Sequence, residues 1–159
     1  MLADPFVVRH LGGHTFRRED AWRRMVSASG FWDLLGYGYW AVEQLDGRWV
    51  GQVGFADFKR DLRPSIEGLP EMGWILARQA HGRGYASEAV AASLAWADAN
   101  LSYTMFTAII DRDNKASIRV AEKAGFGSTE QALYEGRPIL LLRRPVSPAA
   151  ASAASAAAT

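Results

Sequence analysis

Cysteine is absent from the chain, and with it go disulfides, thiolate metal sites, iron–sulfur ligation and a cysteine nucleophile. That absence suits a reducing compartment, so the cytoplasm is the expected location. An excess of one charge is also missing. The 18 Lys+Arg against 17 Asp+Glu leave a formal charge of +1, and no global field draws the chain toward nucleic acid or an anionic membrane. Any anionic ligand must be held by a local arrangement. No apolar run approaches the roughly 20 residues of a membrane span. Met1-Leu2-Ala3-Asp4-Pro5 has neither the charged start nor the apolar stretch of a signal peptide. Histidine is scarce, and although His10 and His14 have the spacing of a metal pair on a helix, Gly12-Gly13 lies between them and no acidic or cysteine partner adjoins. No metal is expected.

What remains is 159 residues with 49% hydrophobic and 22% charged content, which fits one soluble domain over residues 1–146. After Pro145-Val146-Ser147-Pro148 only Ala, Ser and a final Thr follow. Residues 147–159 are expected to be a disordered tail, with a frayed alanine helix as the competing reading.

The apolar period changes several times along the chain, the mark of a mixed α/β domain. Thr15 is the expected N-cap of a helix running to about Ser29, with Trp22, Met25, Val26 and Ser29 on its apolar face, broken by Gly30. Residues 39–44 and 48–57 read as a hairpin turning at Asp46-Gly47. The stretch 59–70, with two prolines and mixed charge, is expected to be a surface loop long enough to be functional. Then come a buried strand at 71–77, a helix at 85–100, a strand at 103–111 and a short helix at about 115–124 between Asn114 and Gly125. A hairpin at 128–134 and 138–143 closes the domain. Most of the six tryptophans are expected in the core.

The stretch from Glu71 to Ala89 runs from a buried strand through a glycine-containing loop into a helix. Glycines at 82 and 84 let backbone approach a ligand, and the free N–H groups of a helix's first turn favour an anion, with Arg83 adding a cation. A plain strand-to-helix turn with no ligand is the alternative. The loop lacks the Gly-Lys-[Ser/Thr] of a Walker loop and the third glycine of a dinucleotide fingerprint.

Gln79-x-x-Gly82-x-Gly84-Tyr85-Ala86, entered from Glu-x-Gly-Trp-x-Leu, resembles the acetyl-coenzyme A pyrophosphate loop of the GNAT superfamily of N-acetyltransferases. The second motif, Asn114-x-x-Ser117-x-x-Val120-x-Glu122-Lys123-x-Gly125-Phe126, is similar to a block of the RimJ/RimL-type branch. The resemblance covers about 16–145. It implies a mixed sheet whose two central parallel strands, 71–77 and 103–111, splay apart to admit pantetheine. Main-chain groups of Trp74, Ile75 and Leu76 would pair with that arm. The loop across Gln79, His81, Gly82, Arg83, Gly84, Tyr85 and Ala86 would hold the pyrophosphate, and Asn114 would reach the coenzyme, cap its helix, or both.

Acetyl transfer to an amine needs a base, a polarised thioester carbonyl and an acid for the thiolate. The tyrosine common in the superfamily seven residues after the motif asparagine is Ala121 here. The resemblance therefore turns to Ser117 for the thiolate, against a purely structural first-turn serine. Glu71 is the expected base, with Asp111 and Glu67 as rivals, and the Ile75 N–H or a neighbour polarises the carbonyl. Trp32, Tyr37 and Tyr39 fall where the family's acceptor site lies, core packing being the alternative for each. The implied activity is direct acetyl transfer to a primary amine, either a protein N-terminus or a small molecule such as a polyamine, amino acid or aminoglycoside. A coenzyme-binding module without catalysis is the alternative. The family's first strand has no counterpart here, so the chain is expected to be shortened at its start. That leaves the strand at 39–44 as a sheet edge open to dimerisation.

Overall fold

The computed structural model describes residues 1–146, and the Ala/Ser tail expected at 147–159 lies outside them. The period-two stretches form one mixed sheet of six strands: β1 (Tyr39–Glu43), β2 (Trp49–Ala56), β3 (Glu71–Leu76), β4 (Met105–Asp111), β5 (Ser128–Tyr134) and β6 (Arg137–Pro145). Their order is β1-β2-β3-β4-β6-β5, so β1 is one edge. The helices are α1 (Pro5–Val8), α2 (Arg18–Leu35), α3 (Tyr85–Asn100) and α4 (Lys115–Lys123). None is long and apolar enough to cross a membrane.

The decisive feature lies at the centre of the sheet. β2 and β3 pair antiparallel from Gly51–Leu76 to Ala56–Glu71, and β4 pairs with β6 along its whole length. Between β3 and β4, which run parallel, pairing is confined to Glu71 opposite Thr107, where the Thr107 N–H donates to Pro70 O at 3.0 Å. Past that point the strands part and leave a gap in the sheet. Each strand is fixed by its outer neighbour, so the gap is built into the fold.

The core joins α3 to the sheet. Val90, Leu94 and Ala97 of α3 pack with Phe55, Met72, Phe106 and Ala108, each large buried side chain contributing about 1.5–3 kcal/mol.

Two expectations need correction. α2 starts at Arg18, where the Asp20 carboxylate accepts the Arg17 N–H at 3.2 Å, and it runs through Gly30 to a left-handed Gly36 at φ 74°. Its inward residues are Arg24, Ala28, Phe31, Trp32 and Leu35. Phe31 packs on Phe58, and Trp32 packs on Trp40 and Trp96. These large rings set the helix's rotation and turn the expected apolar face outward, leaving Trp22, Met25 and Val26 exposed by 61%, 57% and 52%. The second correction is the 59–70 loop. Leu62 and Ile66 are buried against Ala132 and Leu141, on a small core of their own. The chain also begins with an unexpected helical turn, α1, initiated by Pro5 and capped by the Asp4 side chain accepting the Phe6 N–H at 2.9 Å.

Candidate active site

Two cavities open on the gap between β3 and β4. One, of about 340 Å³, lies between the Ala80–Gly84 loop, α4 and the N-terminal segment. The other, of about 350 Å³, is walled by β3, β4, α2 and the 57–60 loop. His10, Leu11, Trp74, Ile75, Asn114 and Ser117 line both, so the cavities meet there. Each is of a size that suits a small-molecule group.

The first cavity carries an anion-binding character. Gly82 and Gly84 have φ of 73° and 83°, and a Cβ built on either meets nothing within 4 Å. Open space and positive φ together explain why glycine stands there. Gly84 is the N-cap of α3, whose first-turn N–H groups carry the positive end of the helix. Arg9, Arg119 and Lys123 add cations to the wall. Phe6 covers the loop from above, with its ring 5.5 Å from that of His81 and beneath the guanidinium groups of Arg9 and Arg78.

The main chain of β3 alternates. The Ala77 N–H donates to Val50 O at 2.8 Å, so by the two-residue period residues 73, 75 and 77 face β2. Trp74 and Leu76 face the gap. Ile75 is thereby excluded as a main-chain donor to the gap, which corrects the expectation. The Leu76 carbonyl is already bonded to the His81 ring at 2.9 Å, which leaves Trp74 with free main-chain groups.

Of the residues expected around the coenzyme, Trp74, Ile75, Leu76, His81, Gly82, Gly84, Ala86, Asn114 and Ser117 line the first cavity. Gln79, Arg83 and Tyr85 do not. Gln79 is exposed on the turn, Arg83 lies over the Tyr85 ring, and the Tyr85 hydroxyl takes a hydrogen bond from the Gln44 side chain. Asn114 caps α4 through Oδ1, which accepts the Ser117 N–H at 3.2 Å. Ala121, at the missing tyrosine's position, is fully buried in the core.

The second cavity holds Glu71, but not as an open carboxylate. Arg60 donates to its two oxygens at 2.6 and 2.9 Å, and Glu71 is 4% exposed. Burial pushes its pKa up, and the pull of Arg60 only partly opposes that. A carboxylate with both oxygens occupied is poorly placed to activate a water, which corrects the expected base. Asp111, its rival, also lines the cavity, with Oδ2 3.4 Å from His10 Nδ1. The other rival, Glu67, is exposed and faces Lys59.

Of the three aromatic residues expected at the acceptor site, Tyr39 lines the second cavity. Its hydroxyl lies against Gly73, where any side chain would collide with it. Tyr37 is buried against Tyr103, and Trp32 belongs to the Trp40–Trp96 cluster, its Nε1 donating to Tyr39 O at 3.2 Å. Both are packing residues. The structure adds Arg24, Phe58, Arg60 and His10 to the wall. The spacing with His14 marked His10 only as a metal candidate, and no local signal shows its pairing with Asp111, a hundred positions away. Arg60 had one, in the apolar pair Leu62 and Ile66 that anchors its loop.

The sheet opens between two parallel strands, with a glycine loop and helix N-terminus at one side of the gap, and a family model for the acetyltransferase (GNAT) domain matches the sequence over residues 1–127. The chain belongs to the GNAT acetyltransferase family. It is 34% identical over 112 residues to the YkkB protein of Bacillus subtilis, an alignment covering 69% of this chain and 63% of YkkB. It thus spans less than two thirds of that relative. Its fold superposes on a GnaT-family acetyltransferase from Bordetella pertussis with a TM-score of 0.75 and 32% identity, covering 81% of this chain and 78% of the other. At 21% identity and a TM-score of 0.66, yncA of Salmonella typhimurium shares the fold over 86% of this chain and 78% of its own. It was solved with its cofactor acetyl-CoA. In this GNAT domain the splayed pair is β3 and β4, and the glycine loop is 82–84.

Proposed function

We propose that this GNAT domain is an acetyl-CoA-dependent N-acetyltransferase that passes an acetyl group directly to a primary amine. The observation that carries the reading is the pair of cavities meeting at Trp74, Asn114 and Ser117 in the gap of the sheet. One side offers an anion cradle and the other a walled pocket. The yncA complex with acetyl-CoA supports the assignment of the ligand. Bound acetyl-CoA supplies the acetyl thioester. The N–H groups of the Gly82–Gly84 loop, with Arg9, Arg119 and Lys123, hold the pyrophosphate. The Trp74 N–H polarises the thioester carbonyl, and the Ser117 hydroxyl donates to the departing sulfur. His10, backed by Asp111, takes the proton from the attacking amine. Its variant His10→Gln should lower kcat and leave acetyl-CoA affinity intact. Glu71 holds Arg60 in the acceptor wall.

The Asn114 to Phe126 block supports placing the domain in the RimJ/RimL-type branch, and a cytoplasmic location, which the absence of cysteine suits, belongs to the same proposal. The exposed β1 edge supports a homodimer, which sedimentation at increasing concentration tests.

The experiment is thiol release from acetyl-CoA with a panel of amines and N-terminal peptides, together with mass detection of the acetylated acceptor. Amine-dependent release with acetylated product supports the reading. Acetyl-CoA binding with no release across the panel favours a non-catalytic module, for which Ala121 in place of the tyrosine is the observation. Absence of binding by a folded sample contradicts both.

A further inference from the structure

The acceptor cavity contains a cation that the protein leaves without a partner. Arg24 Nε is buried and makes no hydrogen bond, the only such side-chain nitrogen or oxygen among the described residues. Arg24 takes part in none of their ion pairs. Position 24 is on the inward face of α2, two turns before Phe31, and the side chain reaches the cavity wall beside Tyr39 and Phe58. A buried guanidinium nitrogen without an acceptor is costly, and proteins rarely keep one without use.

The neighbours define what would satisfy it. Arg60 is committed to Glu71 through two hydrogen bonds. Arg24 acts on Glu71 and Tyr39 only through space. Arg137, across the same cavity, is also in none of the ion pairs among the described residues, but only Arg24 has a buried nitrogen without a hydrogen bond. The Tyr39 hydroxyl is held protonated, first by burial and then by the nearby Glu71 carboxylate, and so is a hydrogen-bond donor. The rings of Tyr39 and Phe58 form an apolar wall beside these donors. Elsewhere in the cavity stand Asp111 and Glu135, which suit the ammonium end of a ligand and disfavour one of high negative charge.

We propose that Arg24 and the Tyr39 hydroxyl form a carboxylate subsite, so that the acceptor is an amine that itself carries a carboxylate, of the amino-acid type. A planar guanidinium pairs bidentately with a carboxylate as it does with a phosphate, and Asp111 and Glu135 in the same cavity weigh against the more highly charged phosphate. A polyamine or aminoglycoside would leave Arg24 unsatisfied and add like charge beside it. The proposal rests on reading this cavity as the acceptor site and narrows its substrate class.

The test uses the full chain labelled with nitrogen-15. The buried Arg24 Nε–H resonance, assigned by its loss in Arg24→Gln, is followed during titration with phenylacetate and, separately, with phenylacetamide. A saturable shift is expected with phenylacetate. The amide should bind weaker by about 10-fold or more, the weight of a hydrogen bond to a charged group. Tyr39→Phe, which keeps the ring, should weaken phenylacetate by about 3- to 10-fold, as for one neutral donor. Equal response to the two probes, or no response to either, overturns the subsite. Acetyl-CoA titration of the same sample reads the other cavity. A carboxylate response without acetyl-CoA binding breaks the acetyltransferase reading alone, and the reverse breaks the subsite alone.

Discussion

Gly84→Glu separates the anion cradle from the fold that carries it. Gly84 sits at φ 83° and ψ −14°, where a side chain costs about 1–2 kcal/mol. Nothing lies within 4 Å of its built Cβ, so no steric cost is added. At roughly 3 °C per kcal/mol for a domain of this size, the melting temperature should fall by about 3–6 °C and the protein should still fold. The binding effect is larger. A carboxylate about 4 Å from a phosphate charge is opposed by about 4 kcal/mol at an effective dielectric of about 20. Gly84 is exposed, so screening reduces this to about 2 kcal/mol, or about 30-fold in affinity. Gly84→Gln supplies the same shape and the same φ strain without the charge. Calorimetric titration of both variants with acetyl-CoA should therefore show Glu about 30-fold weaker than Gln, with the gap narrowing at high salt. Equal affinity of the two folded variants at low salt would refute the assignment of the loop to the pyrophosphate.

Other expectations follow from the same contacts. Glu71→Leu leaves Arg60 charged and unpaired, a loss of about 3 kcal/mol, at the low end of buried-pair values because the Arg60 side chain is 20% exposed. Chemical denaturation should show the double change Glu71→Leu with Arg60→Met recovering most of it, and a double variant no better than the single would contradict the pairing. Ser117→Ala should lower kcat by about 10- to 100-fold with acetyl-CoA affinity unchanged, and unaltered turnover would leave the serine a structural residue. Burial pushes the Asp57 pKa up, but hydrogen bonds from Lys59 and the Gly68 N–H outweigh it and hold the carboxyl below its ordinary range. Its stabilising contribution is thus complete above that range and is lost as pH falls through the lowered value. Asp57→Asn should remove that part of the acid dependence of stability, and an unchanged acid limb would refute the role.

The parts of the fold that were legible in the sequence are those governed by local pattern. Tyr85–Asn100 appears as a helix because Val90, Leu94 and Ala97 repeat at helical spacing, and the strands expected at 71–77 and 103–111 follow from apolar runs that the structure trims to Glu71–Leu76 and Met105–Asp111. The loop glycines and the Asn114 cap were equally local. The misread features depend on contacts between distant segments. The rotation of α2 is set by Phe31 and Trp32 meeting Phe58, Trp40 and Trp96, so the more evident stripe of Trp22, Met25 and Val26 pointed the wrong way. Glu71 looked like a free carboxylate because Arg60 reaches it from a loop of mixed composition. His10 and Asp111 meet only when the N-terminal segment folds across the gap.

The most direct test of a two-cavity GNAT site is calorimetric titration of the full chain with acetyl-CoA, with NAD as the control for generic pyrophosphate binding. Saturable one-to-one binding of acetyl-CoA, with NAD far weaker, is expected if the arm passes between β3 and β4. A folded protein that binds neither ligand, or binds both alike, would contradict the use of the gap as the acetyl-CoA site.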